Sequence, residues 1–242
     1  QNNTTNYSSP IQVGSDTTWS TTYNQIAASG TNTSHVIKTD GTLWAWGENQ
    51  AKLGLNDNAH YSSPVQIPGT TWSMVDSNRS TVLAIKTDGT MWGWGTPQYG
   101  DLGLNNKTYY SSPKQIPGTT WRHVRSVSYG AAAVKTDGTL WTWGRSNWGS
   151  GAYNVGSSNQ HYSSPVQVPG TTWNNILGGG NYHYIASKTD GTLWAWGNNQ
   201  QGQLGQGNTT NYSSPVQVPG TDWNYGASGY GEASFFIQQV TP

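Results

Sequence analysis

Apolar and polar positions alternate along this chain in short bursts. In Leu43-Trp44-Ala45-Trp46-Gly47 the two indoles fall on one side of an extended backbone, with Leu43 and Ala45 on the other. That period of two predicts a β-strand buried on both faces. Asp40-Gly41 stands just before it and predicts a hairpin to a strand around Val36 and Ile37, because glycine supplies the positive φ the turn needs. Pro64-Val65-Gln66-Ile67, bounded by Pro68-Gly69, reads as a third strand that starts at a proline, where a missing N–H is tolerated. A fourth begins near Trp72 and runs through Met74 and Val75 into a polar bend.

The pattern recurs. KTDGTLWAWG at 38–47 returns with small changes at 86–95, 135–144 and 188–197. A second string, YSSPVQIPGTTW from Tyr61, returns from Tyr110, Tyr162 and Tyr212, and degenerately from Tyr7. Its prolines, Pro10, Pro64, Pro113, Pro165 and Pro215, are spaced by 49 to 54 residues. Four short antiparallel strands per unit, apolar on both faces, predict the blades of an all-β propeller. The units begin near 7, 61, 110, 162 and 212 within a single domain spanning 1–242. Five proline strings against four KTDG strings predict five blades, the last one reduced. Its closing strand is expected from the N-terminus, residues 7–13 pairing near Phe235 to Gln238. A fragment cut from a longer array is the alternative, and the first residue, Gln1 rather than Met, points to a processed or excised chain.

The succession Trp196-Gly197-Asn198-Asn199-Gln200-Gln201-Gly202-Gln203-Leu204-Gly205-Gln206-Gly207, followed by Pro215, resembles the regulator of chromosome condensation repeat. The resemblance spans essentially the whole chain, and its wording is similar to versions in bacterial and bacteriophage proteins. It implies a propeller. It implies no single function, since the family includes exchange factors, a photoreceptor and secreted β-lactamase inhibitors, and members are typically seven-bladed.

Composition narrows the chemistry. The 242 residues carry 11 Lys+Arg and 11 Asp+Glu, only 9% charged, against about 25% in an average globular protein. Zero net charge and few cations leave no footprint for nucleic acid. With no cysteine there is no disulfide, thiolate metal site or cysteine nucleophile. No apolar run approaches a membrane span, so no membrane insertion is expected. A surface of Ser, Thr, Asn, Gln and Gly predicts an extracellular or virion-surface setting.

Thirteen of the 14 Trp are tied to the repeat, eight in the WxWG strands and five in the TTW-type position. They are read chiefly as core, the WxWG pairs more firmly than the TTW set. Lys38/Asp40 and their three copies are read as hairpin structure. The five histidines show no metal-ligand spacing, no nucleotide or nucleophile motif appears, and Asn56-Asp57-Asn58 reads better as a turn than as a calcium loop. No cofactor, no metal and no catalytic residue are therefore expected; the chain is read as not an enzyme.

The exceptional Trp148 falls in the third unit's loop, Arg145-Ser146-Asn147-Trp148-Gly149-Ser150-Gly151-Ala152-Tyr153-Asn154. There Gly-Gln-Leu-Gly is lost and three to four residues are inserted. Trp148 and Tyr153 with Arg145 and Asn147 form the candidate binding set, having the composition of an interface hot spot; the competing reading is a cap over a gap opened by the insertion. Three functions stay open: a non-enzymatic propeller binding a macromolecular partner through loops on one face, a multivalent lectin, and a structural subunit of a phage particle or surface assembly. The partner is a protein or a cell-surface glycan, and oligomerisation stays open.

Overall fold

The computed structural model describes residues 3–29, 32–145, 161–180, 182–221, 223–228 and 234–238. Four sheets of four antiparallel strands follow one another. Blade I comprises β1 (Ile26–Ser29), β2 (Thr33–Ile37), β3 (Leu43–Gly47) and β4 (Tyr61–Gln66). Blade II holds β5 (Trp72–Ser77), β6 (Thr81–Lys86), β7 (Met91–Gly95) and β8 (Tyr110–Ile116). Blade III is β9 (Trp121–Val127), β10 (Gly130–Lys135), β11 (Leu140–Arg145) and β12 (His161–Val168). Blade IV is β13 (Trp173–Gly179), β14 (His183–Lys188), β15 (Leu193–Gly197) and β16 (Tyr212–Val218). Two strands of a fifth, β17 (Trp223–Ser228) and β18 (Ser234–Gln238), pair with each other. The sequence units and the blades differ in phase by one strand: each YSSP segment is the outer strand of the blade whose Trp strand it pairs with, as Tyr61 opposite Gly47 shows.

The expected closing strand is not formed. Among the described residues, 7–13 lie in no strand, and β18 pairs only with β17. The reason lies in the repeat itself. Every YSSP strand pairs with a WxWG strand, and no WxWG follows Trp223, so residues 7–13 have no strand of the right kind to join.

Each hairpin is organised by its own side chains. Asp40 Oδ1 accepts hydrogen bonds from Thr42 N (2.9 Å) and Thr42 Oγ1 (2.7 Å), and Thr42 Oγ1 accepts one from Trp44 Nε1 (2.8 Å). The same chain recurs at Asp88, Asp137 and Asp190. These donors hold all four carboxyls below the ordinary aspartate range. The lysine of each KTDG is held between two rings rather than paired with its aspartate: Lys188 Nζ lies 4.9 Å from Trp173 and 3.9 Å from Trp194, and Lys38, Lys86 and Lys135 repeat the arrangement.

The core lies between blades. Leu43, Ala45, Leu53 and Ile67 of blade I pack with Trp72, Val75, Val82 and Trp94 of blade II, and the next two junctions repeat this. The second Trp of the strand is the deeper one: Trp94, Trp143 and Trp196 are fully buried, whereas Trp44, Trp92, Trp141 and Trp194 are half-buried beneath their lysines. The TTW residues Trp72, Trp121 and Trp173 are buried as well, deeper than the first Trp of each pair, contrary to the expected order. Two buried indoles reach backward across a junction, Trp94 Nε1 donating to Lys52 O (2.8 Å) and Trp143 Nε1 to Asp101 O (3.0 Å).

Candidate functional site

An antiparallel blade puts its first turn and its long third loop at one end, here the loop face, and its KTDG hairpin at the other. The glycine that follows each Trp-x-Trp sets the geometry of the loop face. Gly47 has φ 110°, and a Cβ there would sit 2.0 Å from Asn32 O. Only glycine admits that approach. It lets the following N–H bond the turn carbonyl of the same blade: Glu48 to Asn32, Thr96 to Ser80, Arg145 to Tyr129 and Asn198 to Tyr182. These four pairs are equivalent positions with unlike side chains, so the repeated backbone presents a different surface on each blade.

On blade III this brings Arg145 beside Tyr129. The guanidinium carbon lies 4.9 Å from the Tyr99 ring and 5.3 Å from the rings of Tyr129 and Tyr182, and Nη1 donates to Tyr182 Oη (3.3 Å). Tyr99 meets Tyr129 edge-on at 5.2 Å and His161 at 4.7 Å, while Tyr129 stacks on Tyr182 at 6.4 Å. Arg145, Tyr99, Tyr129, Tyr182 and His161 are all half-buried, which leaves part of each accessible. A partly desolvated arginine among tyrosines combines a cation, hydroxyls and ring faces at one spot, the residue types in which binding energy concentrates at protein interfaces.

Of the four sequence-derived candidates, Arg145 is the last residue of β11, whereas Asn147, Trp148 and Tyr153 lie outside the described residues. Sequence reasoning missed Tyr99, Tyr129, Tyr182 and His161. One signal was available. At the turn preceding the second strand, Asn32 and Ser80 give way to Tyr129 and Tyr182 in the same two blades that flank the inserted loop.

Two other features bear on chemistry. The inner strands line a cavity of about 220 Å³, where Arg125 Nη1 lies 3.2 Å from Asp76 Oδ1 and its guanidinium carbon 4.6 Å from the Tyr23 ring. The cation is thus committed to its neighbours. In the Asn56–Asn58 segment, Asp57 Oδ1 accepts from Asn49 Nδ2 and Ala59 N, Oδ2 accepts from Tyr61 Oη, and Asn58 Oδ1 accepts from Ala51 N. These oxygens hold the loop together as a turn. Among the described residues no group of three or more His, Asp or Glu is placed to hold a metal ion, and no helix is long and apolar enough to cross a membrane.

The regulator of chromosome condensation (RCC1) repeat model matches residues 88–133 and 190–228. A comparison with curated proteins finds no match. Among solved structures, human WBSCR16 superposes with a TM-score of 0.77 at 21% identity, covering 89% of this chain and 57% of its own. Prp20p from Saccharomyces cerevisiae gives 0.73 at 17% identity, with 89% and 56% covered. Yeast RCC1 (Prp20) with Kap60 gives 0.71 at 16% identity, with 86% and 52% covered. This chain therefore spans little more than half the length of those propellers. With repeat matches on two stretches and blades that superpose on theirs, its architecture is that of an RCC1-type β-propeller.

Proposed function

We propose that the chain is a non-enzymatic recognition propeller that docks a protein partner on its loop face, centred on Arg145 with Tyr99, Tyr129 and Tyr182. The observation that carries this reading is the convergence of those four side chains from three blades at the foot of the divergent loop. Trp148 and Tyr153 belong to this reading by their place in the sequence, in the loop that follows Arg145. Similar propellers support it: Prp20p has binding properties toward Gsp1p and histones, and Kap60 binds yeast RCC1. An extracellular or virion-surface setting, in a bacterial or bacteriophage context, fits a surface solubilised by neutral polar groups with only 9% charged residues. A lectin with a site on every blade would need the repeated indoles as platforms, and lysines and neighbouring blades cover them.

The test compares partner capture by the wild type, Arg145→Ala, Trp148→Ala and Thr70→Arg, the last on the opposite face. The first two variants lose about 2 kcal/mol of partner affinity, roughly 30-fold, as hot-spot truncations do, while Thr70→Arg binds normally. Equal binding by all four proteins, or a glycan array revealing about five equivalent sites, overturns the reading.

A further inference from the structure

Residues from all four inner strands, β1, β5, β9 and β13, line the cavity of about 220 Å³, and blade IV is what opens it. In β5 and β9 the pairing with the second strand continues unbroken past Val75 and Val124, Asp76 meeting Leu83 and Arg125 meeting Ala132. β13 carries a bulge at this point. Ile176 pairs with Ala186 and Gly178 with Ile185, so Leu177 is an extra residue. Counted along the second strands from their KTDG lysines, Gly178 then stands level with Asp76 and Arg125, and Gly179 level with Ala28, Ser77 and Ser126. Blade IV therefore contributes no side chain at two successive levels, and the space stays open. Bulges of this kind collect beside functional sites.

On the facing side the charges cancel but the donors do not. Arg125 of blade III reaches Asp76 of blade II through Nη1 (3.2 Å) and Asn24 of blade I through Nη2 (3.4 Å), with the Tyr23 ring 4.6 Å from its guanidinium carbon. Asp76 is satisfied, since Oδ1 accepts that bond and Oδ2 accepts from Ser126 N. A guanidinium has five N–H groups, and these two bonds use two of them among the described residues. The Arg125 side chain is 14% exposed and lines the cavity, so its remaining donors are available to an occupant. Tyr23 lines the same space and is 65% exposed, which leaves ring surface free beside them.

We propose that this cavity binds one uncharged sugar ring, its oxygens accepting from Arg125 and its C–H face lying on Tyr23. The charge class follows from the ion pair: Arg125 and Asp76 neutralise each other, so a charged guest would leave water without finding a counter-ion. Serine, asparagine, the ion pair and bare glycine backbone make up most of the lining, against Ala28, Val127 and Leu177, which disfavours a purely apolar guest. The volume lies below the range of drug-sized pockets and suits a single ring rather than a chain. Bulge and ion pair each occur once among the described blades, so the site is single. It is distinct from the patch at Arg145 and does not depend on the protein partner proposed above.

Calorimetric titration of the whole chain with the methyl α-pyranosides of glucose, galactose and mannose tests the proposal, with sodium glucuronate and cyclohexanol as charged and apolar controls. At least one methyl hexoside binds with a stoichiometry of one, and both controls bind at least tenfold more weakly. Ala28→Phe, at an exposed position, fills the space from blade I and lowers the affinity at least tenfold with the melting temperature unchanged. Arg125→Lys, which keeps a cation opposite Asp76 and removes the planar fork, weakens binding to a similar extent, and so does Tyr23→Ala, which leaves the ion pair in place. No binding of any hexoside, undiminished binding by any of the three variants, several equivalent sites, or a control within tenfold overturns it. Because Arg145→Ala leaves this cavity intact, failure here and failure of the docking patch are read separately.

Discussion

Replacing Trp143 by alanine tests how the blades are held together. Its indole is fully buried, lies edge-on to Trp121 at 6.4 Å and donates to Asp101 O at 3.0 Å. Truncating a buried tryptophan costs about 3 to 5 kcal/mol in packing. Loss of the hydrogen bond leaves a buried carbonyl without this donor, roughly 1 kcal/mol or more. The sum, about 5 kcal/mol, corresponds to a fall in melting temperature of about 10 to 20 °C for a chain of this size. Trp143→Phe separates the two effects, since it keeps most of the ring contact and loses the donor; it should cost about half as much. Trp46→Ala, at the equivalent but half-exposed position of blade I, should cost less than Trp143→Ala. Calorimetry and denaturant unfolding provide the readouts. A Trp143→Ala protein within 1 kcal/mol of wild type, or a Trp46→Ala protein losing as much, would refute a core lying at the junctions.

Two further outcomes are expected. His35, His123 and His183 are buried, and burial holds their pKa values down at about 4, 3 and 4; the unfolded chain protonates them below pH 6.5 while the folded one does not. Stability therefore falls as pH drops from 6.5 toward 4, by about 1.4 kcal/mol per histidine at pH 5.5. Buried Asp76 and Asp101, whose carboxyls burial raises, act in the opposite sense. His35→Gln and His183→Gln should flatten the profile, and an unchanged slope in urea unfolding against pH would count against this assignment. Gly144→Ala, which would place a Cβ 2.4 Å from Gly130 Cα and 2.5 Å from Tyr129 O at φ 102°, should cost about 2 kcal/mol or more and should also disturb the tyrosine signals in near-ultraviolet circular dichroism. A silent Gly144→Ala would show that Arg145 does not depend on this approach.

The blade was legible in the sequence because its signals are local. Trp-x-Trp fixes two buried faces, and Asp-Gly-Thr fixes a turn whose side chains bond one another within five residues. What escaped detection depends on which strand meets which. Residues 7–13 carry the YSSP string, yet a strand of that type joins only a Trp strand, and strand composition alone does not reveal that requirement. Lysine and aspartate of KTDG are legible as hairpin residues, but their partners show only in the folded hairpin, where the ammonium turns to the rings and the carboxylate to threonine. Arg145 stood out beside an aberrant loop, whereas Tyr99, Tyr129 and Tyr182 come from three separate turns, up to 83 positions apart, and only the stacking of blades brings them to one cation.

The backward bonds of Trp94 and Trp143 give the array a direction. Each blade offers the same half of a junction on its leading side and the other half on its trailing side, and the acceptor is a backbone carbonyl that any residue supplies. A gene that duplicates one fifty-residue unit thereby produces a blade able to dock on both neighbours without a compensating change elsewhere. Loop side chains, which take no part in those bonds, are then free to diverge copy by copy. Such a protein can acquire a new surface by copying first and varying afterwards, its scaffold indifferent to which copy carries the change.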